Sequence, residues 1–144
     1  ISMTHSNELS YSDVWNASKL TDLNPTNNSE VLLVYGYEDG SDNKPNNDRE
    51  RDLDDTCGSG SCIGLWNREH VYSNSLATPD LNTYGNSGAP YADAHNLRPA
   101  DSSTNSSRGN RKFSDDSGEA SGATNERYTD YNGKLKNGWY PELR

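Results

Sequence analysis

The sequence predicts an α+β fold with short elements and long loops. Three observations carry this: an amphipathic N-terminal stretch at 8–20, two apolar β-rich runs at 31–37 and 63–72, and a short polar helical stretch at 101–109. In the order strand, loop, strand, loop, helix, a ββα unit would set the end of the second strand against the helix.

The N-terminal helix is read from ELSYSDVWNASKL, where Tyr11, Val14 and Trp15 fall on one face and Ser10 with Asp13 resembles a capping box. TDLNPTNNSE then breaks the pattern as a loop. VLLVYGY (31–37) is a short apolar run that reads as a buried strand. Residues 38–61 are rich in Asp, Asn, Gly and Ser and read as a long surface loop. IGLWNREHVY (63–72) begins as a strand and ends on the polar trio Arg68, Glu69 and His70. Turn residues dominate 73–90. In ADAHNLRPADSSTNSSRGN a helix is expected to open near Pro99–Asp101 and close near Gly109. Residues 114–138 read as polar loop.

The length of 144 residues points to one domain, 1–144, but only 29% of it is hydrophobic and mean hydropathy is -1.11. That is lean for a self-sufficient core, so a disulfide, a bound ion or further polypeptide is expected to help hold it. Cys57 and Cys62 in CGSGSC read as a disulfide and hence an oxidising compartment; the alternatives are two free thiols or half of a zinc site, for which no second cysteine pair exists. No apolar run approaches the roughly 20 residues that span a bilayer. The chain begins with Ile1 and displays no signal peptide, which reads as a processed or engineered start.

A net charge of -9 argues mildly against a nucleic-acid partner, but its distribution reverses that reading. Residues 1–64 hold 4 basic and 12 acidic side chains, net -8; residues 65–113 hold 5 and 4, net +1; residues 114–144 hold 4 and 6, net -2. Arg98, Arg108, Arg111 and Lys112 lie in the least acidic third, where phosphate contact would need them.

Two segments carry the chemistry. Glu69 and His70 are adjacent, and neighbours on a regular strand point to opposite faces, so both reach one site only where the strand ends or bends. Alone, the pair reads as a surface acid beside a structural histidine. On a helix from 101 to 109, Asp101, Asn105 and Arg108 share a face. An amide oxygen flanked by a carboxylate and a guanidinium suits a hard cation and a phosphate together, although a solvated helix face is the simpler reading of that segment alone.

Taken together, WNREHV followed by DAHNLRPADSSTNSSRGN resembles the bacterial endonuclease I family, non-specific nucleases of the ββα-metal (His-Me finger) type. The opening LSYSDVWNASKLTDLNPTNNSEVLLVYG is similar to that family's first helix and strand, so the resemblance spans about residues 8–113. It implies a ββα-metal core with additional helices and long loops. It also implies a secreted or periplasmic, metal-dependent endonuclease acting on DNA, with RNA as a further substrate, and leaving 5′-phosphate and 3′-hydroxyl ends. His70 matches the general base, and Glu69 and Asn105 match the metal ligands. Mg²⁺ is the expected ion, with Mn²⁺ and Ca²⁺ as substitutes. Arg108, and with it Arg98, are candidate phosphate contacts. His95 and Asn96 of the HN pair, with Asp101, are read as supporting the site without touching substrate. One imidazole nitrogen is expected to be held by a backbone carbonyl. The chain departs from the pattern at Tyr72-Ser73, where many relatives have Trp-Pro. Relatives also carry a further C-terminal helical segment, expected here as a missing part or a partner chain.

The competing reading is a non-catalytic extracellular cation-binding module with its calcium site in the loop 38–61. DGSDNKPNNDRERD lacks the ligand spacing and closing Glu of an EF-hand loop.

Overall fold

A computed structural model describes residues 8–36, 43–82, 85, 90–113, 127–129 and 135–137. The architecture is α+β. In order it contains α1 (Val14–Thr21), β1 (Glu30–Leu32), β2 (Glu50–Asp52), β3 (Trp66–His70), a 3₁₀ turn (Asn74–Leu76), β4 (Leu97–Asp101), α2 (Ser102–Arg108), β5 (Arg127–Thr129) and β6 (Leu135–Asn137). Strands pair antiparallel as β1–β2, β3–β4 and β5–β6.

Helix α1 is shorter than its pattern suggested. Ser10 and Asp13 do bond reciprocally: Ser10 N–H and Oγ–H donate to Asp13 Oδ2 at 2.9 and 2.6 Å, and Asp13 N–H donates to Ser10 Oγ at 3.2 Å. That exchange closes the turn before the helix, which itself starts at Val14.

The run from 31 buries every second side chain, Val31, Leu33 and Tyr35, as a strand with one covered face does. Regular pairing covers only β1, whose partner β2 lies inside the stretch expected to be loop. Beyond it Leu33 N–H donates to Arg49 O and Val34 N–H to Pro99 O, so the run bridges from β2 to β4. Gly36 is required by this crossing: a Cβ there would stand 2.1 Å from Asp48 O.

The partner of β3 differs from the order expected from sequence. β3 pairs with the LRPAD segment, Trp66 opposite Asp101 and His70 opposite Leu97. Pro99 sits in that ladder on a two-stranded sheet, where the lack of an N–H is tolerated. α2 follows β4 without a loop and packs on β3. Its sequence, SSTNSSR, is poor in helix formers. Its ends compensate: Asp101 accepts from Ser103 N–H and Thr104 N–H at 2.8 and 3.0 Å, and Gly109 closes the helix at φ 57° with its N–H on Asn105 O. β5 and β6 lie where polar loop was expected.

The buried apolar clusters are small: Val14, Ala92 and Leu97; Val31, Leu33 and Trp66; Tyr35 and Ala100. Between them lie buried polar groups, among them Glu69, Asp101 and Arg108. A disulfide joins Cys57 to Cys62 beside the start of β3, where Cys57 N–H donates to Trp66 O. Among the described residues no helix is long and apolar enough to cross a membrane.

Candidate active site

The end of β3, with the C-terminal half of α2 and the turn after it, forms the walls of a cleft of about 280 Å³. Asn67, Arg68, Glu69, His70, Ser73, Asn74 and Asn105 are among its lining residues. Three residues singled out in the sequence, Glu69, His70 and Asn105, therefore meet. The strand ends at His70, which lets adjacent side chains serve one space despite pointing to opposite faces.

Glu69 is 3% exposed. Tyr35 Oη–H donates to its Oε1 at 2.6 Å, and Arg108 Nη1–H donates to the same oxygen as an ion pair. Oε2 takes no hydrogen bond from the described residues. Burial raises the Glu69 carboxyl above its ordinary range, opposed by the Tyr35 hydroxyl and the Arg108 charge. Tyr35 is in turn pushed far above 10, by burial first and then by the carboxylate.

The His70 ring packs against Tyr11 and Tyr91, with ring centroids at 5.8 and 4.7 Å, and the two tyrosine rings also touch each other. Its Nε2 is 2.9 Å from Tyr91 O. A carbonyl only accepts, so the neutral ring carries its proton on Nε2 and its lone pair on Nδ1. Burial lowers the His70 pKa below 6.5; the Tyr91 carbonyl raises it, and the charges of Arg68 and Arg108 lower it further. The ring is thereby kept neutral near pH 7, the form a proton acceptor needs.

Asn105 turns its amide nitrogen to Asn67 Oδ1 at 2.7 Å and to Arg68 O at 3.5 Å, so Oδ1 is not used by these bonds. Glu69 and Asn105 both line the cleft, and each has an oxygen, Oε2 and Oδ1, outside the bonds just described. Such a pair suits a divalent ion that keeps several waters, as Mg²⁺ does. Among the described residues no group of three or more His, Cys, Asp or Glu side chains makes a closed cage.

The other sequence candidates fall elsewhere. Arg108 is 1% exposed; besides Glu69 it donates to His70 O and Val71 O, both at 2.8 Å. A phosphate contact would require it to give up these partners. Arg98 is ion-paired with Asp22, its Nε 2.7 Å from Oδ1, outside the cleft lining. His95 has a 98% exposed side chain beside Asp93. Asn96 clamps Tyr72 by both amide ends, accepting from its N–H at 2.7 Å and donating to its carbonyl at 3.0 Å. Asp101 caps α2 and so places Asn105.

Sequence reasoning passed over Tyr35, Asn67 and Tyr91. Asn67 stands two positions before Glu69 on β3, a same-face spacing that could have found it. Tyr35 lies in an apolar run and carried no polar signal. Tyr91 acts through its carbonyl, which every residue has.

The Endonuclease I family model matches residues 1–138. The chain belongs to the endonuclease I family. Two similar proteins are named extracellular ribonuclease. The one from Bacillus amyloliquefaciens is 40% identical over 106 residues, covering 74% of this chain and 30% of the relative. The one from Bacillus subtilis (strain 168) is 42% identical over 105 residues, covering 73% and 30%. The chain thus spans about a third of the length of these relatives. No solved structure matches it. The aligned endonuclease I region is long enough to hold the entire cleft, whose lining runs from Asn67 to Asn110.

Proposed function

We propose that this chain carries the catalytic centre of an extracellular, metal-dependent endonuclease that hydrolyses phosphodiester bonds of DNA and RNA with little regard for sequence. The observation that carries this reading is the meeting of Glu69, His70 and Asn105 on one cleft, with the imidazole held at Nε2 by a carbonyl. Family membership and relatives named as extracellular ribonucleases support the activity class and the location. The antiparallel pairing of β3 with β4, followed at once by α2, supports a ββα-metal core.

His70 Nδ1 takes the proton from the attacking water while Tyr91 O holds Nε2–H, so the ring neither rotates nor offers the wrong nitrogen. Glu69 and Asn105 would hold one divalent cation through Oε2 and Oδ1. When bound, that ion supplies positive charge to the developing phosphorane and to the departing 3′ oxygen. Tyr35 and Arg108 hold Glu69 by Oε1, which leaves its other oxygen for an ion and opposes the burial that raises the carboxyl's pKa. Arg108 also ties the carbonyls of His70 and Val71, so one guanidinium sets both the carboxylate and the strand end. Ends carrying 5′-phosphate and 3′-hydroxyl follow from departure of the 3′ oxygen.

Cleavage of a supercoiled plasmid and of a labelled RNA tests the reading. Mg²⁺ is expected to support cutting and EDTA to stop it. His70→Ala is expected to slow it by about 10²–10⁴, the usual worth of a general base, without loss of fold. Wild-type rates in that variant would remove His70 from the role, and full activity in chelator would remove the ion.

A further inference from the structure

The cleft of a phosphodiesterase must receive anions, yet its lining holds one lysine or arginine among the described residues, Arg68. Arg108 is neutralised by Glu69 and Arg98 by Asp22. Arg68 has no carboxylate partner among the described residues. Its guanidinium is held instead by rings: its carbon lies 3.7 Å from the centroid of Tyr11 and 4.1 Å from that of Trp15. One N–H donates to Tyr11 O, and Nε, fully buried, finds no partner.

This is an unusual way to keep a cation. Aromatic faces stabilise the cation without neutralising it, and they leave the N–H groups that Tyr11 O does not use to donate elsewhere. A half-buried positive charge with spare donors and no counter-ion is arranged for an anion that arrives from outside. The position agrees with that: Tyr11 carries Arg68 against its ring and also stacks on His70, with 8° between the planes. Guanidinium and imidazole therefore share one support.

We propose that Arg68 is a phosphate-binding residue of this cleft, its in-plane N–H edge taking a non-bridging oxygen of the nucleic-acid backbone beside His70; this rests on the nuclease reading above. The contact is with phosphate and carries no base preference. It gives the acidic chain a local cation where substrate must lie, at a point the charge distribution alone did not single out.

Binding of a short fluorescein-labelled DNA duplex in EDTA, followed by anisotropy across a salt series, tests this without turnover. Arg68→Gln is expected to weaken binding about tenfold at low salt. The slope of log K against log salt should become shallower by about 0.9, the signature of one lost phosphate contact. A folded Arg68→Gln protein with an unchanged slope overturns the proposal, as does a wild-type chain that does not bind. Should Arg68→Gln not fold, phenylglyoxal modification of the wild-type protein decides. Duplex is expected to protect Arg68 several-fold more than exposed Arg49, and equal modification of Arg68 with and without duplex overturns the proposal. A wild-type chain that binds with an Arg68-dependent slope, yet cuts neither DNA nor RNA with Mg²⁺, would sink the nuclease reading and leave the phosphate contact standing.

Discussion

The two sides of the cleft are built by different means, although Glu69 and His70 are consecutive residues. On the carboxylate side, Glu69, Tyr35 and Arg108 form a buried polar knot, with the ion pair between side chains 4% and 1% exposed. On the imidazole side, His70 lies among Tyr11, Tyr91 and the guanidinium of Arg68, held by ring contacts and one carbonyl. A charged ligand for an ion needs its counter-charge placed with it, because an unpaired buried carboxylate would protonate. A base needs the reverse, an environment that disfavours its charged form. One strand end offers both environments because its alternating faces meet different neighbours: α2 and the 31–35 run on one side, α1 and Tyr91 on the other.

The contrast is broken most severely by Arg108→Met. It strands Glu69 without its partner and is expected to cost about 3–5 kcal/mol in urea unfolding. Adding Glu69→Gln should recover a large part of that loss, because the uncompensated charge is then gone. A cost under about 1 kcal/mol in the single variant would mean the carboxylate side is not held by its ion pair.

Tyr35→Phe is a smaller cut on the same side. Losing the 2.6 Å bond to Oε1 should destabilise by about 1–3 kcal/mol and weaken Mg²⁺ binding by about 10–100-fold, read by calorimetric titration. Unchanged affinity would show that the hydroxyl does not orient the carboxylate.

The imidazole side is read by pH. Burial lowers the His70 pKa, so the active neutral ring persists below 6.5 and is lost only as pH falls through that lowered value. The acidic limb of kcat/KM is expected to have its midpoint under 6.5. A midpoint above 6.5 would contradict a base kept neutral by its surroundings.

The smallest effect is expected at His95→Ala. Its side chain belongs to neither side and is almost wholly exposed. Stability should stay within about 0.5 kcal/mol, and cleavage should match the wild type; a large loss of activity would place the imidazole of the HN pair in the machinery after all.

Much of the site was legible in sequence, unevenly and for physical reasons. The ends of α2 could be read because caps are local: Asp101 and Gly109 act on backbone within four residues. The meeting of Glu69, His70 and Asn105 came from the resemblance, since neither segment alone favoured a site. The partner of β3 was not legible. LRPAD contains a proline and reads as the approach to a helix, and strand pairing across about thirty residues has no local signature. β2 was hidden in the same way, its three polar residues ERD being indistinguishable from the surrounding loop.

By itself, then, the sequence settled the chemical inventory: an acid beside an imidazole, an amide ten residues after His95, two cysteines five positions apart, and a hydrophobic content too low for a large core. Those follow from residue type and short spacing. Only the tertiary structure decided the pairings. It turned Arg108 inward onto Glu69, Arg98 onto Asp22 and Arg68 onto two rings, and gave His70 the carbonyl of Tyr91. Three arginines that look alike in sequence take three different partners because a guanidinium's role is set by what lies within hydrogen-bond reach, and that is a property of packing between distant segments.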